Sequence, residues 1–105
     1  MVETMIDIIK SKVRARKFKY TLHARNEALN DGINIKKTIE IIEQSELIED
    51  YPDDPRGHSC LILGWFDEKP VHLVCGISGE DVILITIYIP DPNRWIGHKI
   101  RRLLP

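Results

Sequence analysis

Between Val71 and Trp95 the chain reads VHLVCGISGEDVILITIYIPDPNRW, and this stretch constrains the fold more than any other. Two apolar runs of strand length, Val71–Ile77 and Val82–Ile89, flank the short polar turn Ser78-Gly79-Glu80-Asp81. β-Branched runs broken by a turn containing Gly predict a β-hairpin. Side chains alternate across a strand, so Thr86 and Tyr88 fall on one face and Ile83, Ile85, Ile87 and Ile89 on the other. The isoleucine face reads as core; the Thr86–Tyr88 face reads as either core or site. His72, in the first run, is a further polar side chain that burial alone does not explain.

Upstream, the pattern is helical. Val2, Met5, Ile6, Ile9 and Val13 recur at helical spacing and predict an amphipathic helix over 2–16, read either as a packing helix or as a basic arm or dimerisation helix. Thr21 caps a second helix over 22–30, which Asp31-Gly32 ends, and Asn34 caps a third over 35–44 with Ile35, Ile39 and Ile42 turned inward. Glu46–Tyr51 then reads as a strand or its lead-in, the Pro-rich stretch 52–57 as a loop, and Ser59–Phe66 as a strand closed by the turn 67–70. Pro90-Asp91-Pro92-Asn93 stops the last strand, and the tail from Arg94 reads as a short basic helix. Helices followed by strands predict an α+β fold, with N-terminal helices packed on an antiparallel sheet of about four strands.

The 105 residues suit a single domain, 1–105, with no linker long enough to divide it. An apolar content of 43% argues for a folded globule. No apolar run approaches the roughly 20 residues of a membrane span. The N-terminal residues carry their charges after the apolar positions and show no small-residue cleavage site, so cytoplasmic location and no membrane partner are the expectation. Net charge is −1, but bases crowd both ends (Lys10 to Lys19, Arg94 to Arg102) around an acidic middle, a pattern that permits a local nucleic-acid surface.

The polar groups that could carry chemistry are His23, His72, Thr86 and Tyr88, which a helix packed on a sheet can bring together. Histidine and a tyrosine or threonine hydroxyl suit metal-free RNA cleavage: one takes the ribose 2′-OH proton, another protonates the leaving oxygen. An arginine stabilises the phosphorane, and Arg25 and Arg94 are the candidates. His23, His58, Cys60, His72 and Cys75 could in principle serve zinc, but only His58-Ser59-Cys60 is closely spaced and no familiar zinc spacing occurs. The expectation is therefore no metal and no cofactor, with Cys60 and Cys75 as small core residues. GxSxG, P-loop and HExxH motifs are all missing. Trp65 and Phe66, at a strand end, read as hydrophobic cover.

An ordered set of short motifs resembles the domain-of-unknown-function family 4258: His23-Ala24-Arg25, Gly32-Ile33, Tyr51-Pro52-Asp53-Asp54-Pro55, Leu63-Gly64, Lys69 to Val74, Ile85 to Pro92, and Trp95. The resemblance spans about 18–95, leaving 1–17 as an added helix and 96–105 as a basic tail. It implies a small α+β domain distantly similar to RelE- and BrnT-like toxins, in the barnase–EndoU–colicin–RelE group of metal-independent ribonucleases. It also implies an RNA substrate and an antitoxin partner. By the same resemblance His23 matches a helix histidine, His72 a strand histidine, and Thr86 and Tyr88 a last-strand polar pair. The family pattern often places arginines where Glu27 and Asp31 stand, so phosphate-binding charge would have to come from Arg25, Arg94 and the tail. The expected function is a toxin-like endoribonuclease; the alternative is a non-catalytic protein- or nucleic-acid-binding module, with a homodimer through the N-terminal helix as a further partner.

Overall fold

The computed structural model describes residues 3–103. Val2, the expected first residue of the N-terminal helix, lies outside that range, as do residues 104–105 of the expected tail helix. Helix α1 (Met5–Arg14) begins at a capping box, in which Thr4 Oγ1 accepts from the Asp7 amide and the Asp7 carboxylate accepts from the Thr4 amide. Met5, Ile9 and Val13 form its inner stripe and are buried within the chain's own core. A short strand β1 (Phe18–Tyr20) precedes helix α2 (Leu22–Asn30), whose N-cap is Thr21, and Gly32 follows its end at φ 69°. The expected third helix divides: Asn34 caps a single 3₁₀ turn, Ile35–Lys37, which leads into helix α3 (Thr38–Glu43).

Strands β2 (Glu46–Tyr51), β3 (Ser59–Phe66), β4 (Lys69–Ser78) and β5 (Asp81–Tyr88) form the expected antiparallel meander. The sheet has five strands in the order β1-β5-β4-β3-β2, because β1 pairs parallel to the first half of β5. The fold is α+β, with its helices at the N-terminal end and a mostly antiparallel sheet. The expectation of about four strands missed β1, whose three residues are too few to show a period. Among the described residues no helix is long and apolar enough to cross a membrane.

The three helices share one face of the sheet, where Ala24, Ala28, Ile41 and Ile42 meet Cys60, Ile62, Val71, Leu73, Cys75, Leu84 and Ile87. Gly64 of β3 allows this close approach: a β-carbon there would stand 2.5 Å from Ile41 Cγ2 and 2.7 Å from the Ile41 carbonyl oxygen. The face assignment for β5 requires correction. The register passes from Val74↔Thr86 to Cys75↔Leu84, which leaves Ile85 as an extra residue and inverts the alternation. Val82, Leu84 and Ile87 are therefore the buried residues, while Ile83 and Ile85 are half-buried beside Gly76 and His58 along an open groove.

The tail is the second correction. Among the described residues it forms no helix but a small hairpin, β6 (Trp95–Ile96) paired with β7 (Ile100–Arg101). Its turn runs through Gly97 and His98, both at positive φ, and the Lys99 amide donates to the Ile96 carbonyl. This hairpin covers the face of the sheet opposite the helices.

Candidate functional site

The site is built where β5 ends. Asp91 organises the turn that follows: its carboxylate accepts from the Asn93 amide at 2.9 Å, and its carbonyl accepts from the amides of Arg94 and Trp95. The chain is thereby turned back so that Trp95, 5% exposed, seats against the sheet. Between the end of β5 and the hairpin lies an open cavity of about 340 Å³, whose lining includes Tyr88, Trp95, Arg94, Arg101 and Arg102.

His72 stands behind this cavity. It is fully buried and faces Tyr88 across the β4–β5 ladder. Its ring meets the Trp95 ring edge-on at 4.4 Å and the Tyr88 ring at 5.3 Å. Nε2 lies 2.6 Å from the carbonyl oxygen of His98, which can only accept, so Nε2 carries the proton. Burial holds His72 below the ordinary histidine range, partly offset by that hydrogen bond. In the neutral ring Nδ1 is then an acceptor, and the Tyr88 hydroxyl, 3.2 Å away, donates to it. Burial also raises Tyr88 above the ordinary phenol value. The arrangement is a tyrosine lining a cleft with a proton acceptor directly behind it.

Positive charge collects at this cleft because much of it is engaged elsewhere. Arg14 pairs with Glu43, Lys17 with Glu80, Lys19 with Asp81, and Lys12 donates to the Glu80 carbonyl. Three cations of the N-terminal basic run, Arg14, Lys17 and Lys19, are thus paired with acidic side chains of the same molecule. At the cleft, Arg94 is exposed, and Arg102 spends Nε on the Pro92 carbonyl at 2.9 Å. Arg101 donates from Nε to both Glu49 oxygens, at 2.9 and 3.2 Å, and its guanidinium lies 4.7 Å from the centre of the Trp95 ring. Tyr51 donates to Glu49 as well. Burial tends to raise Glu49, but the hydrogen bonds from Arg101 and Tyr51 outweigh it and leave the carboxyl below its ordinary value.

The residues singled out from sequence separate into two places. His72 and Tyr88 meet, and Tyr88 shares the cleft with Arg94. Thr86 occupies the next register pair on the same face, opposite Val74, and does not line the cavity. His23 and Arg25 are exposed on α2, where His23 Nε2 lies 3.1 Å from Glu27; neither lines the cavity.

Glu27 and Asp31 have a structural task. Beyond Leu84, β1 no longer accompanies β5, and the outer amides of Ile87 and Ile89 lose their partner strand. Glu27 Oε1 accepts from the Ile87 amide at 3.2 Å, and Asp31 Oδ2 accepts from the Ile89 amide at 3.0 Å. Four helical residues and two strand residues both advance roughly 6–7 Å, so the spacings match.

Sequence reasoning counted Arg101 and Arg102 only as part of a basic tail, and took Trp95 for a helix residue. Gly97, between Trp95-Ile96 and Ile100-Arg101, was the available signal, a turn residue rather than a periodic pattern. Among the described residues no three His, Cys, Asp or Glu side chains are grouped to hold a metal ion. Cys60 and Cys75 are free thiols opposite each other on the helix-covered face, and burial pushes Cys60 up to about 12.

A family model described as Domain of unknown function (DUF4258) matches residues 20–89, from the end of β1 through α2 to just past β5. No curated protein and no solved structure matches the chain.

Proposed function

The chain belongs to the DUF4258 family, and from that premise we propose that it is a toxin-like, metal-independent endoribonuclease working at the cleft between β5 and the C-terminal hairpin. The observation that carries this reading is the Tyr88–His72 hydrogen bond at the wall of a cleft lined by arginines. A ribose 2′-hydroxyl placed at Tyr88 gives its proton to the phenolic oxygen as Tyr88 gives its own to His72 Nδ1. The freed 2′-oxygen attacks the adjacent phosphorus and the P–O5′ bond breaks. The proton returns through Tyr88 to the leaving 5′-oxygen, which leaves a 2′,3′-cyclic phosphate and a 5′-hydroxyl. Arg94 and Arg102 offset the charge that builds on the phosphorane. His23, Arg25 and Thr86 take no part in this scheme. Cytoplasmic location and a small antitoxin partner accompany the reading, as does growth arrest on expression without that partner.

The test is cleavage of single-stranded RNA in EDTA by wild type and Tyr88→Phe, beside a substrate lacking the 2′-hydroxyl. Wild type cuts, the variant loses about 10²- to 10⁴-fold, and the deoxy substrate stays whole. Intact RNA after incubation with folded wild-type protein sinks the proposal. A second reading, a non-catalytic binding module, draws on the full burial of His72 with both ring nitrogens engaged. Under it nothing is cut, and Tyr88→Phe leaves ligand binding unchanged.

A further inference from the structure

Arg101 differs from the other two arginines at the cleft. A guanidinium has donors around its edge and two open faces. At Arg101, Nε serves both Glu49 oxygens and Cζ sits over the buried Trp95 ring, 4.7 Å from its centre. Its charge is already balanced by Glu49, so its contribution to holding a phosphate is reduced. Yet the side chain lines the cavity and remains 61% exposed. The base beneath it is rigid, because Trp95 is in turn braced edge-on by His72. A planar cation held over an indole, with an open side on the cavity, presents a surface suited to a flat ring.

We infer that Arg101 is a nucleobase platform, on which an unpaired base of the RNA stacks as the third layer above Trp95. This deepens, and rests on, the assignment of the cleft to RNA. The division of labour follows: Arg94 and Arg102 meet the backbone, Arg101 meets the base, and Glu49 is the positioning residue that sets the guanidinium plane. Stacking uses a π-face that every base possesses, so the platform selects unpaired over duplex nucleotides and discriminates little among sequences.

The test is a binding titration with a short, fluorescently labelled oligodeoxyadenylate, which lacks the 2′-hydroxyl and is not cut. A second probe has the same sugar–phosphate chain with abasic positions throughout. Wild type is expected to hold the base-bearing probe roughly 5- to 100-fold more tightly than the abasic one. Arg101→Lys keeps the charge and removes the plane, and is expected to erase that difference. Equal wild-type affinity for the two probes overturns the platform and leaves the RNA cleft standing; so does a base preference that survives in Arg101→Lys. If the lysine variant loses abasic binding through misfolding, the wild-type comparison alone decides. Absence of binding to both probes overturns the platform and the RNA cleft together.

Discussion

Tyr88 lines the cleft, and its hydroxyl proton goes inward to His72 Nδ1. Removing that hydroxyl takes away both the group facing the cleft and the partner of a buried acceptor. Tyr88→Phe should therefore abolish most cleavage and also lower stability by about 1–3 kcal/mol, read from urea unfolding. The acid behaviour of His72 follows from its burial. The folded protein holds the ring below its ordinary value of 6.5, so on acidification the unfolded chain takes up a proton first. Stability from this residue is complete above 6.5 and declines as pH falls below it, until the folded ring itself titrates. The same proton occupies Nδ1 and blocks the relay, so kcat/KM for RNA should fall as pH drops through the folded ring's own value, which lies below 6.5. A kcat/KM that does not fall on acidification while the protein stays folded would remove His72 from the scheme.

At the scale of elements, α2 substitutes for a missing strand along the second half of β5. Glu27→Ala should cost about 1–3 kcal/mol because it leaves the half-buried Ile87 amide without its acceptor, whereas Glu27→Gln retains an acceptor oxygen and should cost much less. Equal losses in urea unfolding for the two variants would mean that charge, not hydrogen bonding, is what Glu27 supplies. The carboxylates that looked like a loss of phosphate-binding charge are thus accounted for by the sheet edge they close. Gly64 illustrates a different constraint between elements. With Ile41 Cγ2 at 2.5 Å and Ser45 Oγ at 2.6 Å from a notional β-carbon, Gly64→Ala forces β3 and α3 apart. The expected loss is at least the ~1–3 kcal/mol of an overpacked core, measurable as a lowered Tm. Neither role was legible in the sequence: the i, i+4 carboxylates and a glycine within an apolar run acquire meaning only from what packs against them.

Across the whole molecule, charge is distributed so that a chain of net charge −1 keeps a local basic cleft. The hairpin is tied across the sheet to β2 by the exposed pair Lys99–Glu46 and by Arg101–Glu49, whose carboxylate is half-buried and whose guanidinium is exposed. An exposed pair such as Lys99–Glu46 contributes roughly 0–1 kcal/mol, whereas Trp95 is buried against the sheet. Salt should weaken oligonucleotide binding through Arg94 and Arg102, with a slope of log K against log salt near −1.4 if two phosphates are held, at about 0.7 per phosphate for single strands. Arg94→Ala should lower the magnitude of that slope by about half. A slope unchanged in Arg94→Ala would place the phosphate contacts elsewhere.

The sequence by itself determined the α+β class, the caps at Thr21 and Asn34, the four-strand meander and the identity of His72, Tyr88 and Arg94 as chemically interesting groups. These rest on local periodicity, turn chemistry and side-chain type, which neighbouring residues carry among themselves. Tertiary structure alone decided which of those groups meet. The bulge at Ile85 inverted the faces of β5, and the three residues of β1 joined the sheet only because β5 offered them an edge. The tail, too short to show a helical or strand period, became a hairpin because Trp95 found a place over His72. That contact brought three arginines beside Tyr88 and left His23 on another element, a consequence of long-range packing that no local pattern encodes.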